Sequence, residues 1–379
     1  MKNRNHKFSR RGTIVKIQLP SVFQRWRRKL RRQATAGFTL TELLVTALIA
    51  GIITSGLMGL VYELLQTNQR DTVRAETQRD MQMALDFISS EIREAVYVYD
   101  GECLDGSEDR GCPGIFGGAG VLPDLGDDTV PVFALWKLKD LPEEARNQCE
   151  STSGDEFGEC LAGQSHTLVI YALGRNQEDD IWEGAGRIIR YELSQFNSSN
   201  GDRRDYSSPI GDNCSYATWP CETPPSVNDW NAQVLVDYVH DRWVFDNRDI
   251  NEDGSPDVDA ACPDNSNYVI TPSDDTLAAY GFGSPGSFVR NFYGCVRLPP
   301  GSTVAGTDDL DAAEDDARFN QKVILFLRGN IDGRFGADLD CQGLEDEDGA
   351  NSDHFCLLPA IETQVVNRGV LEKEPFSLQ

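Results

Sequence analysis

Between Glu42 and Glu63 lie 20 residues, Leu43 to Tyr62, without one charged side chain. A helix of that length crosses the hydrocarbon core of a bilayer, so the segments on either side are expected on opposite sides of a membrane. A secretory signal peptide would have a shorter apolar region ending in small residues at a cleavage site. This stretch instead runs into a helical pattern. Thr67 to Tyr97 contains neither Pro nor Gly, and Leu85, Ile88, Ile92 and Ala95 or Val96 recur at spacings of three and four. No heptad is sustained, so the stripe is expected to pack on a sheet of the same chain rather than in a coiled coil. One helix from Thr39 to about Val98 would be roughly 90 Å long.

Charge is distributed unevenly about this helix. Residues 1–36 hold 12 Lys or Arg and no Asp or Glu, whereas the whole chain carries −26; without that segment the charge is −26 − 12 = −38. Basic flanks stay on the cytoplasmic side, which places residues 1–37 in the cytoplasm and the remainder beyond the membrane. Arg25 to Arg32 could lie on the inner leaflet, but a plain topology signal suffices. Ser9-Arg10-Arg11 stands too far upstream of the apolar run to act as a twin-arginine signal. With 61 acidic residues against 35 basic ones, duplex nucleic acid is excluded as a partner.

All ten cysteines lie between Cys103 and Cys356, as expected of disulfides formed in an oxidising compartment. Zinc would want close Cys-x-x-Cys pairs, which are absent, and the chain has only 4 His. The cysteines fall into sequential neighbours: Cys103 with Cys112, Cys149 with Cys160, Cys214 with Cys221, Cys262 with Cys295 and Cys341 with Cys356. Such local bridges would staple each insertion at its base.

From Asp100 onward, turn-rich clusters separate short β-rich runs. Expected strands are Val130–Leu138, His166–Leu173, Arg187–Phe196, Gln233–Phe245, Phe288–Leu298, Lys322–Leu327 and Thr363–Val366. The fold class is α+β, a long helix against a mostly antiparallel sheet. Asn197–Asn231 and Asp246–Ser287 exceed ordinary loop lengths and are expected to be functional or mobile insertions. No internal repeat is present.

At the head of the apolar run stands Gly37-Phe38-Thr39-Leu40-Thr41-Glu42-Leu43-Leu44-Val45, behind the basic leader. This closely resembles the processing site of type IV prepilins and type II secretion pseudopilins over about residues 30–98. The resemblance implies a pilin-like fold and cleavage by a membrane prepilin peptidase between Gly37 and Phe38, with methylation of the new Phe38 amine. It also implies that Glu42 neutralises the N-terminal amine of an adjacent subunit as helices bundle. A carboxylate at the edge of an apolar span is costly unless paired; the plainer alternative is a boundary residue that reaches the headgroups. The leader, at 37 residues, is longer than many in the family. Gly51, Gly56 and Gly59 would permit close helix approach or a local melt, though glycine is common in membrane helices generally.

The long helix, the stapled insertions and Glu91-Ile92-Arg93-Glu94-Ala95 look most like the pseudopilins of cyanobacterial hormogonium polysaccharide secretion. That similarity implies a short pseudopilus in the inner membrane, aiding polysaccharide export and gliding motility. Its partners would be other pseudopilins or pilins, an assembly platform with a separate ATPase, and the exported polysaccharide. The expected organisation is a cleaved cytoplasmic leader, 1–37; a transmembrane and assembly helix, 38–66; its amphipathic continuation, 67–98; and a periplasmic β-rich head, 99–379.

Asp249, Asn251, Asp253, Asp257 and Asp259 offer oxygens in a calcium-loop pattern around Gly254, with Ala260 where an EF-hand would close with Glu. The alternative is a solvated acidic turn. Asn330-Ile331-Asp332-Gly333 and Asp346-Glu347-Asp348-Gly349 are partial loops of the same kind, and Asp308–Asp316 and Asp338–Asp353 are acidic runs of the solvated type. The resemblance adds that related major pseudopilins use a calcium loop.

An enzyme would need a site, and the best cues, Asp229-Trp230 and Asp241-Arg242-Trp243, fix no pair of carboxylates at catalytic separation. Phosphate-loop, nucleophile-elbow and zinc-protease motifs are absent. His166, His240 and His354 are scattered; no catalysis is expected. A surface adhesin is the competing binding role, with Trp182, Trp219, Trp230 and Trp243 as sugar platforms. Non-reducing peptide mapping is expected to recover the five neighbouring cysteine pairs; a Cys103 to Cys356 link would refute the scheme.

Overall fold

The computed structural model describes residues 38–108, 111–116, 121–126, 128–149, 163–177, 181–204, 206, 208–210, 214–221, 223–242, 262, 268–285, 287–298, 321–334 and 358–367. Two units separate, one ending at Leu65 and the other beginning at Gln66. Helix α1, Leu40–Glu94, is the first element and runs through that boundary. In the first unit every residue from Phe38 to Leu65 is exposed, large apolar side chains included. Thr46 and Thr54 donate their hydroxyls to the carbonyls of Leu43 (3.0 Å) and Ala50 (2.7 Å). Such bonds leave little polar surface unsatisfied, as a membrane-crossing helix requires.

In the second unit α1 becomes one-sided. Met81, Ala84, Leu85, Ile88 and Ile92 are buried, each of the larger ones stabilising by about 1.5–3 kcal/mol. The helix ends at Glu94 rather than near Val98. Ala95–Val98 forms strand β1 instead, antiparallel to β2, Thr129–Asp140. Ala-Val-Tyr-Val suits a strand as well as a helical stripe, and pairing with β2 decides between them.

Strands β3 (Gln164–Arg175), β4 (Gly186–Ser194) and β5 (Asn231–Val239) complete an antiparallel meander in the order β1-β2-β3-β4-β5. A second antiparallel sheet has the order β6 (Tyr268–Thr271), β7 (Phe292–Arg297), β8 (Lys322–Leu327), β9 (Ile361–Val366). The expected single sheet is therefore two. Expected strand β5 stops at Val239 because Tyr238 adopts φ 64° and the chain turns toward the second sheet. Phe288 and Val289 precede β7 in a turn closed by Val289 N–H on the Phe282 carbonyl (2.9 Å). Short strand β6 lies inside the segment read as an insertion.

Alternation sets the layers. Val169, Tyr171 and Leu173 of β3 join α1 and the second sheet's Val296, Val323, Leu325 and Leu327 in one core. Their neighbours Leu168, Ile170 and Ala172 face a second cluster with Trp136, Tyr206 and Trp219. Residues between Asn197 and Asn231 thus supply core, where the sequence suggested a functional or mobile insertion. Cys103–Cys112, Cys214–Cys221 and Cys262–Cys295 are disulfides. Cys160, Cys341 and Cys356 lie outside the described residues, and with them the other two pairs.

Helix α2, Gly101–Asp105, follows β1, capped by the Asp100 side chain on the Cys103 N–H. A Cβ on Gly101 would stand 2.0 Å from the Ile270 carbonyl oxygen of β6. Gly101→Ala is accordingly expected to destabilise the head by about 2–3 kcal/mol; an unchanged denaturant midpoint would show that α2 and β6 do not meet in this way.

Candidate functional site

Thr39 begins α1. Its carbonyl accepts the N–H groups of Glu42 and Leu43, both at 3.1 Å, and its hydroxyl also accepts from Glu42 N–H at 3.3 Å. Thr39-Leu40-Thr41-Glu42 fits the Ser/Thr-x-x-Glu capping pattern, which gives Glu42 a local role at the helix start. In the first turn the carboxylate also complements the positive end of the helix. Its side chain has no hydrogen bond or ion pair among the described residues. A positively charged group could therefore pair with it. Phe38 is 74% exposed beside it, and Gly37 lies outside the described residues. An added Cβ at Gly51, Gly56 or Gly59 would meet nothing within 4 Å.

The head contains a second charged cluster, missed in the sequence. Glu91 of α1 is buried at the end of the apolar stripe. It accepts from Arg190 Nε (2.9 Å) and an Arg190 terminal nitrogen (2.8 Å) on β4, and also from Lys137 on β2 and Tyr171 on β3. Arg190 continues to Glu192 (2.7 Å), which also accepts from Lys139 (2.6 Å) and the Ser194 hydroxyl (2.9 Å). Burial pushes both carboxyls up, but their hydrogen bonds outweigh it: Glu91 sits below its ordinary value and Glu192 is held at about 2. Arg190 and Glu192 could have been noticed, because Ile189, Tyr191 and Leu193 between them occupy the other face of β4.

The remaining sequence candidates scatter. Trp219 is fully buried beneath the first sheet, edge-on to Trp136 (ring centroids 5.1 Å apart), and so is core rather than a sugar platform. Trp182 and Trp230 are half-buried, and Trp243 lies outside the described residues. Asp229 forms a capping box with Ser226 and pairs with Arg204 at 3.4 Å. Asp241, its carboxyl pushed up by burial, faces Arg175 at 4.0 Å. Neither carboxylate is arranged with the other for catalysis among the described contacts.

His166 packs against Tyr216, and burial pushes its imidazole down to about 4. His240 Nδ1 lies 3.2 Å from Asn330 Nδ2, and burial with Arg328 and Arg242 nearby pushes it down to about 3. Both stay neutral near neutrality. Asn330 Oδ1 also accepts from Asp332 N–H at 3.0 Å, so this partial calcium loop spends its amide on a tight turn. Asp249, Asn251, Asp253, Asp257 and Asp259, the Asp346–Gly349 loop, both acidic runs and His354 lie outside the described residues.

No family model, no curated protein and no solved structure matches the chain.

An unfolded glutamate titrates near about 4.3, above the folded value of about 2 for Glu192. Its stabilising contribution is complete above about pH 4.3 and is lost as pH falls toward 2. Glu192→Gln is expected to lower stability at pH 7 by on the order of 2–3 kcal/mol. The gap to wild type should shrink across that window in thermal melts; a gap independent of pH would contradict the assignment.

Proposed function

We propose that the chain is a pseudopilin subunit of a type II secretion or type IV pilus-like machine. On this reading a prepilin peptidase removes residues 1–37 and Phe38 becomes the methylated N-terminus. The observation that carries it is a coincidence of position. The Gly37-Phe38-Thr39-Leu40-Thr41-Glu42 motif ends in the first turn of a helix that begins at Leu40, is uncharged from Leu43 to Tyr62 and is exposed as far as Leu65. One helix long and apolar enough to cross a membrane supports anchoring by a single span.

Chemistry accounts for the roles. Cleavage would leave a cationic amine at Phe38; Thr39 takes the backbone N–H of Glu42, and the Glu42 side-chain carboxylate remains open to the amine of a neighbouring subunit. That pairing neutralises both charges where water is scarce. Polar hydroxyls turned onto their own backbone leave the rest of the span to apolar helix contacts. In the proposed machine a separate ATPase drives assembly at an inner-membrane platform, the head stands in the periplasm, and the transported cargo is polysaccharide in support of gliding motility. The head's part is structural, with no catalytic step.

The test is intact-mass analysis of protein extracted from membranes of its own host. The chain should begin at Phe38 and carry one added methyl group. A mature start elsewhere would sink the reading.

A further inference from the structure

The apolar packing of α1 does not by itself specify where the helix sits. Met81, Leu85, Ile88 and Ile92 repeat every three or four residues, so sliding α1 by one turn lays similar side chains over the same sheet. Apolar attraction is non-directional and separates such placements weakly. The strand that follows also tolerates adjustment, since its pairing with β2 shifts register between Ala95 and Tyr97.

Glu91 breaks this degeneracy. Its two oxygens meet donors from three strands, namely Lys137 of β2, Tyr171 of β3 and Arg190 of β4, and the side chain is 7% exposed. A slip of three residues one way would set Ile88 against Arg190, leaving Lys137 and the buried Tyr171 hydroxyl without their acceptor and Arg190 with Glu192 alone. A slip of three the other way would bring exposed Glu94 to Arg190 but drive Glu91 into the apolar place of Ile88. The first move strands buried donors and the second buries an unpaired carboxylate, and either costs more than the apolar contacts distinguish.

We propose that the Glu91 network is a positioning device: it selects one seating of α1 on the first sheet and adds little net stability. Replacing a buried ion pair with apolar residues is often neutral or stabilising, whereas removing one partner is not. Positioning and stabilisation therefore predict different outcomes. The surrounding charges do not substitute for the pin: Glu192, which pairs with both Arg190 and Lys139, lies on β4 itself and fixes nothing about α1, and Arg93 and Glu94 lie on the exposed side of α1.

The full chain in detergent serves for the test, with Glu91→Gln and an apolar variant that replaces the carboxylate together with its three donors, Glu91→Leu/Lys137→Met/Tyr171→Phe/Arg190→Met. Glu91→Gln, which strands buried donors, should lower Tm by at least about 5 °C. The apolar variant should melt at or above the wild-type temperature. Its backbone amides from Ala84 to Glu94 should nevertheless exchange hydrogen about tenfold faster, because the helix now samples more than one seating. Wild-type exchange in the apolar variant would mean that apolar packing alone sets the position. An apolar variant as unstable as Glu91→Gln, or unable to fold, would make the network a stabiliser, and an unaffected Glu91→Gln would show that the donors do not depend on this carboxylate; each overturns the proposal.

Discussion

Strand β3 is apolar on both faces, and most of the head follows from hiding both. Leu168 through Leu173 are buried without exception. Such a strand cannot leave one face to water as an ordinary antiparallel sheet does. One face receives α1 and the second sheet. The other receives Tyr99, Leu104, Phe116, Tyr206 and Trp219, contributed by segments between the strands. The long connections that interrupt the meander are thus a third layer, and the Cys103–Cys112 and Cys214–Cys221 bridges hold two of them in place.

The two coverings handle polar groups differently. Beneath the inserted layer, aromatic rings carry the contact, and the buried Trp136 indole N–H donates to the Tyr99 hydroxyl at 2.9 Å, which donates in turn to the Tyr216 carbonyl. Neutral donors in series satisfy each other without bringing charge into the interior. Beneath α1 the solution is ionic, with Glu91, Arg190 and Glu192 in one chain. An ion pair is costly to bury but intolerant of misalignment, which suits a junction between a smooth helix and a sheet.

Patterns confined to a few neighbouring residues were legible in the sequence. The uncharged run marked α1, and β-rich runs between turn clusters located β2, β3 and β4 closely and β8 at Lys322–Leu327. Ala95–Val98 misled because its apolar residues fit both periods, and four-residue β6 is too short to outweigh its turn-rich surroundings. The Glu91 network was hidden for another reason: its members come from α1, β2, β3 and β4, and only the strand register assembles them. Thr39 and Glu42, by contrast, carry their capping geometry in four consecutive residues.

At Val239 the two sheets meet. Val239 bridges Gly329, His240 N–H donates to the Arg328 carbonyl (3.1 Å), and Asn330 N–H donates to the Tyr238 carbonyl (2.8 Å). This seam joins parts of the chain about ninety residues apart, so its closure must await both sheets. Once closed, it denies either sheet an independent melting step. The unit that begins at Gln66 is built as one cooperative whole, in which damage to any strand is felt by the rest.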